Sequence, residues 1–175
     1  MLPRARYRIR QFTRGLRPHL APHEVAEARL WLTPAEFALF RAADPRDRRH
    51  SMDLFLLLRR EGTSRDAPPS DEVLVAALIH DVGKGHLMTA DRVLFVILRA
   101  ASAGLANRVA AEHGAPWRRA QWRLLHHATL GADILRRAGS APRVVELVAG
   151  HTGTADSIRA TDPELAWFIE SDDRI

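Results

Sequence analysis

The chain has 175 residues and a hydrophobic content of 46%, which suits a single globular domain large enough to bury a core. It carries a net charge of +5 and no cysteine, so disulfides and thiolate metal sites are excluded and any metal must be held by His, Asp or Glu. No apolar h-region follows the basic N-terminus and no apolar run nears membrane-spanning length. A signal peptide and a membrane span are therefore not expected, and the expected location is cytoplasmic. Lys84 is the only lysine among 26 basic residues. The arginine bias reads as a habit of the source's composition, which sets that one ε-amine apart from the rest.

Residues 1–20 carry Arg4, Arg6, Arg8, Arg10, Arg14 and Arg17, interleaved with Tyr7, Ile9 and Phe12. Such an arm could touch nucleic acid, but the charge is spread along the whole chain and a solvated segment is the better expectation. A short helix is expected over 22–31. Thr33-Pro34-Ala35-Glu36 reads as a helix start, with Thr as N-cap, Pro at the first turn and Glu three residues on, and Phe37 and Phe40 give its apolar face. Asp44-Pro45 ends it. The next helix is expected over about 46–60, with His50, Leu54, Leu57 and Leu58 on one face and Arg46, Arg48 and Arg49 around the histidine. Those arginines could grip a phosphate or form a solvated helix start. Residues 62–69 read as a loop.

Ser70-Asp71-Glu72 opens the central helix, which the glycines at 83 and 85 are expected to end. Residues 91–103 form a strongly apolar helical run, expected in the core. A more polar stretch follows to Gly114. Pro116 starts a helix with Trp117, Gln121, Leu124, Ala128, Gly131 and Leu135 on one side. His127 lies on the flank of that stripe and His126 on roughly the opposite face. Pro142 starts another helix, whose apolar stripe Val144–Val148 ends in His151. Asp162-Pro163-Glu164 starts the last, which brings Leu165, Phe168 and Asp172 to one face. No period-2 strand, repeat or low-complexity segment is evident, so the fold expected is all-α.

The informative pattern is polar residues on apolar faces, because a buried polar group is costly unless paired. One such histidine is ordinarily a satisfied core residue, and Asp172 alone could be a cap. Here five separate segments each place a His or Asp at the core side of a helix, and those faces are expected to pack together. The densest stretch is Ala76-Ala77-Leu78-Ile79-His80-Asp81-Val82-Gly83-Lys84-Gly85, where a nitrogen ligand adjoins a hard carboxylate.

The order His50, His80-Asp81, His127, His151, Asp172, with His-Asp-Val-Gly-Lys at 80–84, His-Ala-Thr-Leu-Gly-Ala at 127–132 and Ser-Asp-Asp at 171–173, resembles the HD-domain metal-dependent phosphohydrolases. The resemblance spans roughly residues 45 to 175. It implies an HD helical bundle over 45–175 within one domain of 1–175, and residues 1–44 as a basic arm and helical extension. It also implies a metal site in which His50, His80, Asp81 and Asp172 hold one divalent cation. Asp81 bridges to a second, which His127 and His151 complete, as in the dinuclear branch of the family. Fe, Mn, another transition metal or Mg would serve. Lys84 would stabilise charge on a substrate phosphate, and Asp81 and Lys84 are the expected catalytic residues. Asp173 competes with Asp172, and His126 with His127. After His151 stands Thr-Gly-Thr-Ala-Asp-Ser, not the Gly-Tyr-Pro motif of the cyclic-di-GMP branch, so that substrate has no support.

The resemblance therefore implies an enzyme, a phosphohydrolase acting on a small-molecule phosphomonoester or phosphodiester, with a nucleotide as the expected substrate and no membrane partner. The alternatives are a non-catalytic nucleotide-binding or regulatory HD protein, a basic nucleic-acid module using the N-terminal arm, and di-iron oxygenase chemistry. Binding without turnover would favour the first. Loss of nucleic-acid binding on deleting residues 1–20, with ester hydrolysis kept, would mark the second; no feature selects the third. His86, in the lysine loop, reads as a solvated histidine or a substrate contact.

Overall fold

The structure is a computed structural model, and it describes residues 18–63 and 68–175. The basic arm expected over residues 1–20 falls largely outside the described residues, as does the middle of the loop expected over 62–69. Among the described residues there are α-helices and one 3₁₀ turn and no strand, as the sequence predicts. No described helix is long and apolar enough to cross a membrane.

The helices begin where local chemistry marks them. α1 (Pro22–Trp31) and α2 (Pro34–Ala42) both open on proline. At α2 the Thr33 hydroxyl accepts from the Glu36 amide, while Glu36 accepts from the Thr33 amide at 2.9 Å, which satisfies two donors that a helix start leaves over. α3 (Pro45–Gly62) is capped by Asp44, and α4 (Asp71–Ile79) by Ser70. α4 is apolar on nearly every side and buried accordingly. It ends earlier than the two glycines suggest. His80 is already its C-cap, and Val82–Lys84 forms the 3₁₀ turn. Asp81 sits between them in the bridge region, φ −93° and ψ 4°, which turns its carboxylate off the helix axis.

α5 (Thr89–Ala101) and α6 (Ala103–Val109) follow, then the long α7 (Pro116–Ala138), α8 (Pro142–Gly150), the short α9 (Ala155–Ile158) and α10 (Pro163–Asp172). α3 packs on α4, α4 on α8, and α7 on both α8 and the 3₁₀ turn, with α10 closing against α3 and α4. Leu54, Phe55 and Leu58 of α3, the apolar residues of α4, Leu135 of α7, Val144, Leu147 and Val148 of α8, and Phe168 of α10 share one core. Ala28, Leu32 and Phe40 of the first two helices join it.

Two expectations are corrected. α5 is not core: Val93, Val96 and Ile97 are more than half exposed, because α5 packs mainly on α6 and part of α7. Trp117 is also exposed, since the first turn of α7 runs past the elements that cover the rest of its apolar stripe.

Candidate metal centre

Three helix ends and two positions within helices supply the site. His80 caps the C-terminus of α4, His151 caps that of α8, and Asp172 is the last residue of α10. His50 lies in the second turn of α3, and His127 lies midway along α7. Helix C-termini carry partial negative charge, so three of them converging here favour a cation before any side chain is counted.

The histidines are oriented alike. In His80, His127 and His151 the Nδ1 atom faces the carbonyl oxygen three residues back, at 3.1, 2.8 and 2.7 Å. A carbonyl can only accept, so each Nδ1 carries a proton and donates it. In the neutral ring Nε2 is then a bare lone pair aimed inward. His127 Nε2 and His151 Nε2 stand 3.1 Å apart. Two bare lone pairs cannot hydrogen-bond to each other. Two nitrogens bound to one ion at about 2.1 Å and at right angles would lie about 3 Å apart, so the spacing suits a shared cation. His80 Nε2 and Asp81 Oδ1 are buried with no hydrogen-bond partner, the pattern expected of atoms committed to something other than protein.

Asp81 lies at the centre. Its Oδ2 is 3.4 Å from His80 Nε2 and 2.6 Å from the Lys84 ammonium, while its Oδ1 faces His127 Nε2 at 3.7 Å and His151 Nε2 at 4.0 Å. Asp172 Oδ1 approaches His50 Nε2 at 2.8 Å and His80 Nε2 at 3.6 Å. The ligand atoms fall into three overlapping groups, each within 4.8 Å: His50, His80 and Asp81; His80, His151 and Asp172; Asp81, His127 and His151. All six residues singled out in the sequence are thus brought together. The overlap also shows that His151 stands near His80 as well as His127, so the six do not divide into two separate sets.

Burial and charge set the ionisation. Burial pushes His151 down to about 3 and lowers His127, which keeps both neutral with their lone pairs available at neutral pH. Burial works against the ionised form of Asp81, but the electrostatic influence of His80 and Lys84 outweighs it and holds the carboxyl well below its usual range. Asp172 is lowered in the same way, against burial, by His80 and His50. Burial opposes a charge on His50 and on Lys84, yet contact with Asp172 raises the first and the charge of Asp81 raises the second.

Glycine brings the turn to α7. A Cβ on Gly83 would stand 2.0 Å from the His127 carbonyl oxygen and 2.5 Å from the Gly131 amide nitrogen. Only a residue without a side chain lets the His-Asp turn rest directly on the backbone of the helix that carries His127. Gly85 has φ +60°, a left-handed conformation that ends the turn at Lys84.

The competing residues are separated. His126 is exposed and lies against Trp122, with ring centroids 4.8 Å apart, one 100° step round α7 from His127. Asp173 is exposed, and burial and the neighbouring Asp172 raise its carboxyl. His86 is exposed. Arg49 is held by Glu24 and Asp53, Arg46 by the Thr89 hydroxyl and Arg48 by the Arg41 carbonyl, so this cluster is tied to protein partners. The sequence reading missed one pair beside the site. Asp47, three residues before His50 and on the same face, is buried and accepts two hydrogen bonds at 2.8 Å from Arg92 of α5. Its charge acts on Lys84. The i, i+3 spacing from His50 was a signal for Asp47; nothing local pointed to Arg92.

No curated protein and no solved structure matches the chain. A family model for the HD domain matches residues 48–166, a span that contains His50, His80, Asp81, Lys84, His127 and His151 and stops short of Asp172. That family includes metal-dependent phosphohydrolases, and its domains bind divalent metals. The all-α bundle and the extent of the match lead to one conclusion: the chain belongs to the HD domain family.

Proposed function

We propose that the chain is a metal-dependent phosphohydrolase that cleaves a phosphomonoester or phosphodiester of a nucleotide. The observation that carries this reading is the division of Asp81, one oxygen toward His80 and Lys84 and the other toward His127 and His151. His50, His80, Asp81 and Asp172 would hold one divalent cation, and Asp81, His127 and His151 a second. Fe, Mn or another transition metal is compatible with nitrogen and carboxylate donors together, and Mg with the carboxylates. Bound there, such cations supply Lewis acidity toward a phosphoryl group and a water that is acidic near neutral pH.

The chain's own residues supply the rest. The carbonyls of Ala77, Leu124 and Val148 fix the tautomer and the aim of three imidazoles, so the donor set needs little reorganisation. Asp81 and Asp172, both kept ionised, offset the cationic charge. Lys84 is partly open to solvent and its ammonium adjoins Asp81. A phosphoryl oxygen arriving beside that carboxylate meets a fixed positive charge, which is worth most where charge grows in the transition state. His80, Asp81 and His151 are almost fully buried, and electrostatic interactions there are weakly screened.

The test is metal content per chain in protein purified without chelator, with phosphoester hydrolysis followed before and after chelation. About two equivalents of metal and chelator-sensitive hydrolysis are expected. One equivalent would remove His127 and His151 from the ligand set. No metal even after reconstitution would overturn the reading.

A further inference from the structure

A cleft of about 550 Å³ opens beside the metal centre and contains none of the six His and Asp residues. It is lined by His86, Asp91, Glu112, Arg119, Trp122 and Arg123, among others. Its volume is that of a small-molecule site. Two covalent paths join it to the centre. The turn that carries Asp81 and Lys84 runs through Gly85 directly into His86. On α7, Arg123 precedes His127 by four residues, about 6 Å along the axis. The two paths are tied together: Arg123 Nη2 donates to the His86 carbonyl at 2.8 Å, and Arg123 Nη1 stands 3.6 Å from where a Cβ on Gly85 would be.

The chemistry of the wall is mixed in a specific way. Arg119 and Arg123 are cationic, and Arg123 Nε is buried with no hydrogen-bond partner. Trp122 brings an indole ring to the same wall. Opposite charge comes from Glu112 and from Asp91, whose carboxylate also accepts from the Met88 amide. A guanidinium pair accepts phosphate or hydroxyl oxygens, an indole stacks on a planar ring, and carboxylates accept from ring amines.

Building on the phosphohydrolase reading, we infer that this cleft holds the organic part of the substrate, an amine-bearing nucleoside, with its base on Trp122 and its sugar or a further phosphate on Arg119 and Arg123. The reacting phosphoryl would lie at Asp81 and Lys84 and the nucleoside would run along the 84–86 turn into the cleft. Trp122 and Arg123 are then specificity-determining residues that touch the substrate away from the reacting bond. Removing one stacked base contact weakens nucleic-acid ligands by roughly five- to 150-fold.

The probes are a non-hydrolysable phosphonate analogue of adenosine 5′-phosphate and methylphosphonate, titrated by calorimetry into Mn²⁺-reconstituted protein. The wild type is expected to bind the adenosine analogue at least about ten-fold more tightly than methylphosphonate. In Trp122→Ala and in Arg123→Ala that ratio should fall toward one, and Arg123→Lys should restore part of it. A wild-type ratio near one, or a ratio that neither alanine variant moves, would overturn the inference. Hydrolysis of p-nitrophenyl phosphate, assayed separately, distinguishes the two proposals. A protein that hydrolyses it with a ratio near one keeps the hydrolase reading and loses the nucleoside cleft. A protein that shows the ratio but hydrolyses no phosphoester keeps the cleft and loses the hydrolase reading.

Discussion

The two halves of the chain that follow the 3₁₀ turn use apolar residues in opposite ways. From the middle of α7 to α10 the large ones are buried: Leu135, Leu147, Val148 and Phe168 share one core with α3 and α4. In α5 the apolar face is as regular, yet Val93, Val96 and Ile97 face solvent. Helical periodicity says which side of a helix is apolar. Whether another element covers that side depends on where the chain goes next. The difference locates the rigidity of the molecule. The site rests on close-packed backbone and side chains, while α5 is held by a small cluster of Phe95 against Leu87, Ala120 and Leu124, by Arg92 to Asp47 and by Gln121 to the Asp91 carbonyl.

The widest break of this contrast is at its centre. Asp81→Ala is expected to abolish both metal retention and hydrolysis with the helical circular dichroism preserved; a variant with full metal and activity would remove Asp81 from its central role. Next in size are paired core truncations. Phe168→Ala, which empties space against the edges of His80 and His151, should cost about 3–5 kcal/mol in urea unfolding. Ile97→Ala on α5 should stay within about 0.5 kcal/mol. Equal losses would mean that the α5 face is covered in solution.

Gly83→Ala comes third. Its new methyl meets backbone, not a flexible side chain, and should destabilise by about 3 kcal/mol while reducing metal affinity, read from unfolding and metal titration of the same protein. Smaller again is the histidine pair. His127→Ala should lower metal affinity about 10–100-fold, and His126→Ala far less, since His126 is exposed and lies against Trp122.

The smallest effect is a pH dependence. The Arg143 hydrogen bonds to Asp162 lower that carboxyl below its ordinary value of 3.8. Its stabilisation is therefore complete above that value and is lost as pH falls through the lower folded value. Asp162→Asn keeps an N-cap for Leu165 but not the charge. The wild type should exceed it by about 1 kcal/mol at pH 6, with the gap closing as the pH drops below 3.8. A gap that persists at acid pH would assign the effect to capping.

Much of this was legible from the sequence because it is local. Thr33, Ser70 and Asp162 cap helices through hydrogen bonds that span three residues, so their side chains announce the starts. The choice of His127 over His126 needed only the 100° step between neighbours on a helix. His50, His80, Asp81, His151 and Asp172 stood out as polar residues closing apolar stripes or beginning them. What the sequence could not disclose were contacts between distant segments: the seat of Gly83 on the His127 carbonyl, Arg92 reaching back to Asp47, and the bare flank of α5. The early end of α4 was hidden for a related reason, because the glycines that seemed to stop it serve the 3₁₀ turn and its approach to α7.

The solitary lysine has a practical corollary. With every other basic side chain a guanidinium, the ε-amine of Lys84 is the chain's single side-chain target for amine acylation, and its carbonyl the single cleavage point for a lysine-specific protease. That cleavage would part His50, His80 and Asp81 from His127, His151 and Asp172. The progress of either reaction is therefore a chemical gauge of how firmly the site is closed, readable by mass without any substrate in hand.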